Sequence, residues 1–482
     1  MRRSGYGHQA SDGVTSVRLV GLDFGTTTSR CIVAAAKLSR NVVSGRHELS
    51  EIDETFRSPV LLTPFSENGL DMGRLGELLD TWLAPATLGG EAFGGGALVT
   101  GLAAQQPNSG VLIELIRSRV KDVLVASAAD PSLEAWLAFQ ANAGGVSRAN
   151  PERWVVNLDI GGGTTNLAVG KRGEVIRTGS LFVGARHVEV DPGTYKIVKL
   201  SGFARALFDL LKIAAGPGDS LRAAQVDAIV GWQIQLLERA LAGDGAAFQD
   251  PVARLHEQVQ LRPPEEMSDP IVCLSGGVGE LVYEFLGTKY APPRTQFGDL
   301  GIDLAAAIAS SPRWKARLGG IVPSQGGRAT VYGLLLFATQ VSGATVYLPE
   351  VSVLPLRDVA ILGRVTADST DEQIRDILQL VSRSGVGGCI VVSLDRVDGR
   401  AVRSLGERIA SALKRAAFPA ATPLVLLVRE NVGKALGGYV TQWGSNPVRL
   451  VVLDEIEPLD ARFVQIGSLR DHMVPISFYG MN

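Results

Sequence analysis

Apolar residues fall along the chain in short blocks of strand character separated by longer stretches of helical periodicity, the alternation expected of an α/β architecture. The first block, Val17-Arg-Leu-Val-Gly-Leu-Asp-Phe, ends at Gly25-Thr-Thr-Thr, and Arg30-Cys-Ile-Val-Ala-Ala resumes apolar character. That pattern predicts a strand, a turn and a second strand. Ala84 to Gly96, rich in Ala and Gly, predicts a loop. A strand over 97–100, a helix over 110–121, a strand over 122–126 and a helix over 131–141 should follow, with Asp130 near the last helix's cap.

At Trp154 the strand-turn-strand theme returns. Trp154-Val-Val-Asn-Leu-Asp-Ile runs into Gly161-Gly-Gly-Thr-Thr, then Asn166-Leu-Ala-Val, and Lys171-Arg172-Gly173 turns into a third strand over 174–182. The two aspartates, Asp23 and Asp159, lie 136 residues apart, and a unit duplicated at that separation predicts two similar halves facing each other. Helical sequence dominates 202–241, and a short strand precedes Gly276. Beyond about Val341, apolar runs at 389–394, 423–428 and 449–453 alternate with helical segments, predicting a further α/β portion. The expected division is a mobile tail over 1–16, a first lobe over 17–150, a second over 151–345 and a C-terminal portion over 346–482.

Composition narrows the function classes. The 482 residues carry 47 basic and 49 acidic side chains without a long basic run, which argues against general affinity for nucleic acid or anionic membrane. Cys31, Cys273 and Cys389 are scattered and form no metal-spaced or redox pair, as expected in a reducing cytoplasm. Met1 to Asp12 lacks the apolar core of a signal peptide. The most apolar stretch, Tyr332 to Leu348, is interrupted by polar residues and falls short of a membrane span.

Three segments carry candidate chemistry. In Gly21-Leu-Asp23-Phe-Gly25-Thr26-Thr27-Thr28 a strand ends at a carboxylate and turns through glycine, so backbone N–H groups and hydroxyls can cradle a phosphate. Asp23 would not sit against phosphate unaided and would hold Mg²⁺ through water. Asp159-Ile-Gly161-Gly162-Gly163-Thr164-Thr165 repeats the chemistry, with Asp159 the candidate to orient an attacking water or its metal. Strand-Ser275-Gly276-Gly277-Val278 opens into a helix whose side-chain-free start can lie against a nucleoside. Taken singly, the first two also fit ordinary hairpins and the third a common packing turn. No Walker-type phosphate loop, dinucleotide fingerprint, zinc motif or nucleophile elbow competes.

In order and spacing, with the Gly-Gly turn 117 residues after Asp159, the set resembles the actin, sugar kinase and DnaK-type chaperone superfamily. That resemblance implies an actin-like two-lobed ATPase of duplicated ribonuclease-H-like domains, clamping ATP and Mg²⁺ between phosphate, phosphate and adenosine segments. Asp130-Pro131-Ser132 resembles the start of the helix that, in chaperones, carries a water-positioning residue; Asp130 or Glu134 would serve, or both simply favour a helix N-terminus. Outside the cleft the chain is similar to the ethanolamine ammonia-lyase reactivating factors. The stretches are Ser58-Pro-Val-Leu-Leu-Thr-Pro-Phe65, Val123-Leu-Val-Ala-Ser-Ala128, Leu274-Ser-Gly-Gly-Val-Gly-Glu280, Arg328-Ala-Thr-Val-Tyr-Gly333, Ser342-Gly-Ala-Thr-Val346, Leu354-Pro-Leu-Arg357, Gly433-Lys-Ala-Leu-Gly437 and Val452-Leu-Asp-Glu-Ile456.

This second resemblance implies a cytoplasmic chaperone-like ATPase, associated with a bacterial microcompartment in some settings. Its partner would be the adenosylcobalamin-dependent lyase, from which it frees damaged cobalamin so that intact cofactor can enter. It leaves homo-oligomerisation open. Val99-Thr-Gly-Leu-Ala-Ala-Gln105 departs from the pattern in lacking an acidic residue after the glycine. A filament-forming or cell-division ATPase and a small-molecule kinase remain alternatives, although the Gly-Gly-Gly-Thr-Thr turn looks more like the water-using branch. In the C-terminal portion, Gly433 to Gly438 reads as a helix start, and Asp454-Glu455 as an acidic strand end facing water; phosphate or metal contact is the sharper reading of each. Trp136, Trp154 and Trp232 read as core or interface residues.

Overall fold

The computed structural model describes residues 15–25, 28–41, 46–59, 61–66, 68–87, 94–104, 106–120, 122–127, 131–287, 292–318, 328–343, 345–394, 397–470 and 472–481. Residues 1–14, Thr26, Thr27 and Asp130 therefore lie outside the described part, and Thr15 and Ser16, expected in the tail, already belong to the first strand.

The strand-turn-strand unit forms twice, in the same topology. In the first sheet the strands lie in the order His47–Arg57, Thr28–Arg40, Thr15–Phe24, Gly94–Val99, Leu124–Ser127. The first three pair antiparallel and the last three parallel. In the second sheet Glu174–Leu181, Thr165–Lys171 and Val155–Ile160 pair antiparallel, and Ile271–Ser275 joins parallel beside Val155–Ile160. Glu257–Val259 adds an edge. Three antiparallel strands continued by parallel pairing, through two further strands in the first sheet and one in the second, is the duplicated ribonuclease-H-like arrangement of the actin-like fold.

Two departures from the sequence reading have local causes. Ala84 to Gly96 is not all loop: helix Met72–Thr87 runs into it and strand Gly94–Val99 starts inside it. The glycines serve close packing there, since a Cβ at Gly95 would stand 2.1 Å from the Val20 carbonyl oxygen. Strand His47–Arg57 escaped notice because it is a polar edge strand, largely exposed, with no apolar alternation to mark it.

Two helices tie the lobes together by exchange. Pro131–Asn142, reached from the first sheet, lays Ala135 and Phe139 on Val155, Ala168 and Cys273 of the second. Ala329–Phe337, reached from the second, lays Val331 and Leu335 on Leu19, Ile32 and Ala34 of the first. The helices also pack on each other, so tightly that a Cβ at Gly333 would come 2.5 Å from the Leu137 carbonyl oxygen.

The C-terminal portion is a seven-stranded mixed sheet. Leu356–Val365, Gly388–Val392, Pro423–Val428 and Arg449–Leu453 run parallel, and Ala461–Ile466, Pro475–Met481 and Gln340–Val341 extend the sheet antiparallel. Its helices are amphipathic; in Gly399–Arg415 the residues Val402, Leu405, Ile409 and Leu413 recur at three- and four-residue spacing and are all buried. The sheet docks on the first lobe. Val464, Ile466 and Ile476 share one core with Leu98, Leu124, Leu133, Leu137 and Leu334. Asp122 clamps the seam, accepting from the Ser468 amide at 2.9 Å and from Arg470 Nη2 at 2.6 Å. Among the described residues no helix is long and apolar enough to cross a membrane.

Candidate functional site: a cleft between duplicated strand tips

The antiparallel register places Asp23 opposite Arg30 and Asp159 opposite Asn166, equivalent positions of the two units. Each turn closes alike, Gly25 N donating to Thr28 O at 3.0 Å and Gly161 N to Thr164 O at 2.9 Å. The two tips face each other across a cleft of about 760 Å³, lined among others by Asp23, Gly25, Thr28, Asp159, Gly161, Gly162, Gly163 and Thr164. Gly276, Gly277 and Val278 form a further wall at the start of helix Gly276–Gly287. Only glycine fits at 276: its φ is +79°, and a Cβ would stand 2.5 Å from the Ile160 carbonyl oxygen.

The second tip is held from behind. Ala185 N donates to Gly161 O at 3.1 Å, Arg186 N to Gly162 O at 2.7 Å, and His187 Nε2 to Gly163 O at 2.8 Å. Across a trans peptide the following N–H points the opposite way from the carbonyl. Engaging those three carbonyls therefore turns the N–H groups of Gly162, Gly163 and Thr164 away from the 185–187 segment. Burial pushes the His187 imidazole down to about 4, so it is neutral and its Nδ1 accepts from the Ser201 hydroxyl.

Three carboxyls enter the cleft. Asp159 accepts from Ser275 Oγ at 2.7 Å and from Thr330 Oγ1 at 3.2 Å. Its pKa is raised by burial, against the pull of those two bonds and the Arg30 charge. Burial pushes Asp23 up to about 6; Arg30 opposes the shift and Asp159 adds to it. Burial also pushes Glu134 up to about 8, with the charges of Asp23 and Asp159 adding and hydrogen bonds from Thr100 and Asn166 opposing. Asn166 Nδ2 reaches Glu134 Oε2 at 2.7 Å.

Not every residue singled out in the sequence faces this space. Thr165 is buried and donates to the Val183 carbonyl at 2.8 Å. Strand alternation turns Asn166, not Thr165, into the cleft. Ser275 is also fully buried and acts on the cleft through Asp159. Glu134 lines the cleft, whereas Thr26, Thr27 and Asp130 lie outside the described residues. Arg30, Thr100, Asn166, Arg328 and Thr330 line it without having been singled out. Arg30 and Asn166 had a usable signal, each seven residues after the aspartate of its unit.

The arrangement suits an anion with a divalent counter-ion. Crowded carboxyls whose ionisation is disfavoured by burial and mutual repulsion gain from a cation beside them. Among the described residues no three His, Cys, Asp or Glu side chains converge to hold an ion alone. Mg²⁺ suits such a site, since it keeps several waters and takes one or two carboxylates plus phosphate oxygens.

The family profile described as ethanolamine utilisation protein EutA matches residues 15–478. A Salmonella typhimurium protein named ethanolamine ammonia-lyase reactivase EutA is 29% identical over 458 residues, covering 93% of this chain and 94% of that one. The Escherichia coli protein of the same name is 28% identical over 461 residues, with the same coverage. Among solved structures, an Aquifex aeolicus PPX-GPPA enzyme is similar at 15% identity and a TM-score of 0.34, over 58% of this chain and 75% of that chain.

Proposed function

Because the chain belongs to the ethanolamine utilisation protein EutA family, we propose that it reactivates an ethanolamine ammonia-lyase, coupling ATP hydrolysis to release of damaged cobalamin from that enzyme. The relatives' names motivate the client. The observation that carries the nucleotide reading is the pair of glycine turns, each beginning just beyond a cleft-facing aspartate, opposed across about 760 Å³. That volume lies within the ~300–1,000 Å³ range usual for small-molecule sites.

In this reading the amides and hydroxyls at Gly25 to Thr28 and Gly161 to Thr164 hold the phosphates, and Gly276 to Val278 lies along the nucleoside. Arg30 adds positive charge beside Asp23. Asp23 and Asp159 hold Mg²⁺ through water, and the ion supplies charge neutralisation to the phosphates when bound. Asp159, fixed by Ser275 and Thr330, orients the attacking water. Glu134, protonated below about pH 8, keeps a proton at the cleft wall.

Nucleotide can drive the client only if the ATP and ADP states bind it unequally. The test mixes lyase blocked by an inactive cobalamin with this protein, ATP, Mg²⁺ and fresh adenosylcobalamin, and follows ammonia release. Recovery is expected with ATP and not without it. Recovery no faster than without the protein overturns the reading, and ATP-dependent light scattering would then favour a filament-forming protein.

A further inference from the structure

Asp454 and Glu455 follow strand Arg449–Leu453, where the sequence suggests an acidic end facing water. The structure corrects this: Asp454 is 0% exposed and Glu455 8%. Each carboxylate is satisfied on one side only. Asp454 Oδ2 accepts from the Gly433 amide at 2.9 Å and from the Thr345 hydroxyl. Glu455 Oε1 accepts from Arg40 Nη2 at 3.3 Å and from Asn431 Nδ2 at 2.5 Å. Among the described residues the other two oxygens, Asp454 Oδ1 and Glu455 Oε2, are buried without a partner.

Those two oxygens converge. A Cβ built on Gly343 would stand 2.7 Å from both, so they are no more than twice that distance apart. Glycine at 343 keeps a methyl group out of the space they share. Two inward-aimed carboxylate oxygens, left bare in a buried place, are a donor set for a hard cation; Ca²⁺ takes carboxylate oxygens at about 2.3–2.6 Å and Mg²⁺ at about 2.0–2.1 Å. Arg40 offsets one negative charge from the first lobe, and the donors to Asp454 are neutral.

We infer that Asp454 and Glu455 form a site for a small divalent cation, bound through Asp454 Oδ1 and Glu455 Oε2, at the seam between the C-terminal sheet and the first lobe. The site lies apart from the cleft, whose walls include neither residue. Its surroundings say what the ion does. Gly343 and Thr345 belong to the chain passing from helix Ala329–Phe337 into the C-terminal portion, Asn431 and Gly433 open helix Gly433–Val440, and Arg40 ends strand Thr28–Arg40. An ion here seats the C-terminal sheet on the lobes.

The test uses the full chain without nucleotide, equilibrated separately with Ca²⁺ and with Mg²⁺, desalted, and assayed for bound metal by mass spectrometry. The double variant Asp23→Asn/Asp159→Asn removes both carboxylates assigned to the cleft ion and should still retain roughly one ion per chain, held by Asp454 and Glu455. Asp454→Asn and Glu455→Gln should lose that ion, and Gly343→Ala should lose it with every carboxylate still present. Preference between Ca²⁺ and Mg²⁺ identifies the ion. The proposal is overturned if the Asp23→Asn/Asp159→Asn variant retains neither metal, a result that needs no folded Asp454 variant. It is equally overturned if folded Asp454→Asn and Glu455→Gln hold as much metal as the wild type.

Discussion

Ser275 stands in register beside Asp159 on the neighbouring parallel strand and donates its hydroxyl to Asp159 Oδ1 at 2.7 Å. The Ser275 hydroxyl oxygen in turn accepts from Asn157 Nδ2 at 3.0 Å, while Asn142 Nδ2 donates to Asn157 Oδ1 at 2.7 Å. A buried polar chain thus runs from helix Pro131–Asn142 to the cleft aspartate.

Ser275→Ala should break that chain. Leaving buried partners unpaired costs about 1–3 kcal/mol. Urea denaturation should show that loss, and the Asp159 pKa should rise further because a bond that lowers it has gone. An unchanged midpoint would show that the chain contributes nothing to stability.

Asp23→Asn and Asp159→Asn should each reduce ATP turnover by roughly 10²–10³, the usual loss of one preorganised transition-state contact. Because burial disfavours the ionised form of both side chains, neutral Asn at either position should leave the melting temperature unchanged or raised. Steady-state phosphate release and thermal melts separate the two effects. Wild-type turnover in both variants would refute the assignment of the phosphate loops.

Without nucleotide or divalent cations, stability should fall as pH rises from about 6.5 to 8. Glu134 is lifted from 4.5 to about 8 and Asp23 from 3.8 to about 6, so between those limits the folded chain binds more protons than the unfolded one. These two groups contribute a negative slope of stability with pH across about 4 to 8, opposed below about pH 6.5 by the His187 imidazole, which burial holds down to about 4. Glu134→Gln should flatten the upper part of that slope. Melting curves at pH 6.5 and pH 8 on both proteins suffice, and an equal drop in each would contradict the Glu134 shift.

Gly333→Ala should destabilise although alanine is the better helix former by about 1 kcal/mol. The added methyl meets the Leu137 carbonyl at 2.5 Å, a backbone contact that cannot swing aside. Overpacking of this kind costs about 1–3 kcal/mol and should outweigh the propensity gain. A raised melting temperature would mean that the helices can part without penalty.

The fold was legible where chemistry repeats. Asp23 and Asp159 mark equivalent tips because each ends an apolar run two residues before a glycine that threonines follow, and apolar runs such as Ile271 to Ser275 announce buried strands. Less local features were hidden. Thr330 reaches Asp159 from 171 positions away, which no window of sequence reveals. Thr165 misled because motif spelling ignores that neighbouring strand residues face opposite ways. Asp454 and Glu455 misled because acidic side chains are ordinarily solvated; they lie against Gly343, more than a hundred residues upstream.

The exchanged helices bear on how the cleft could widen. Each sheet is backed by a helix reached from the other lobe's sheet, and the two cross where Gly333 meets the Leu137 backbone. Any rotation that spreads the strand tips has to turn about that crossing. Leu137 and Leu334 at the crossing lie in one core with Val464 and Ile476 of the C-terminal sheet. Pressure on that sheet therefore reaches the pivot through packed side chains, with no loop between to absorb it.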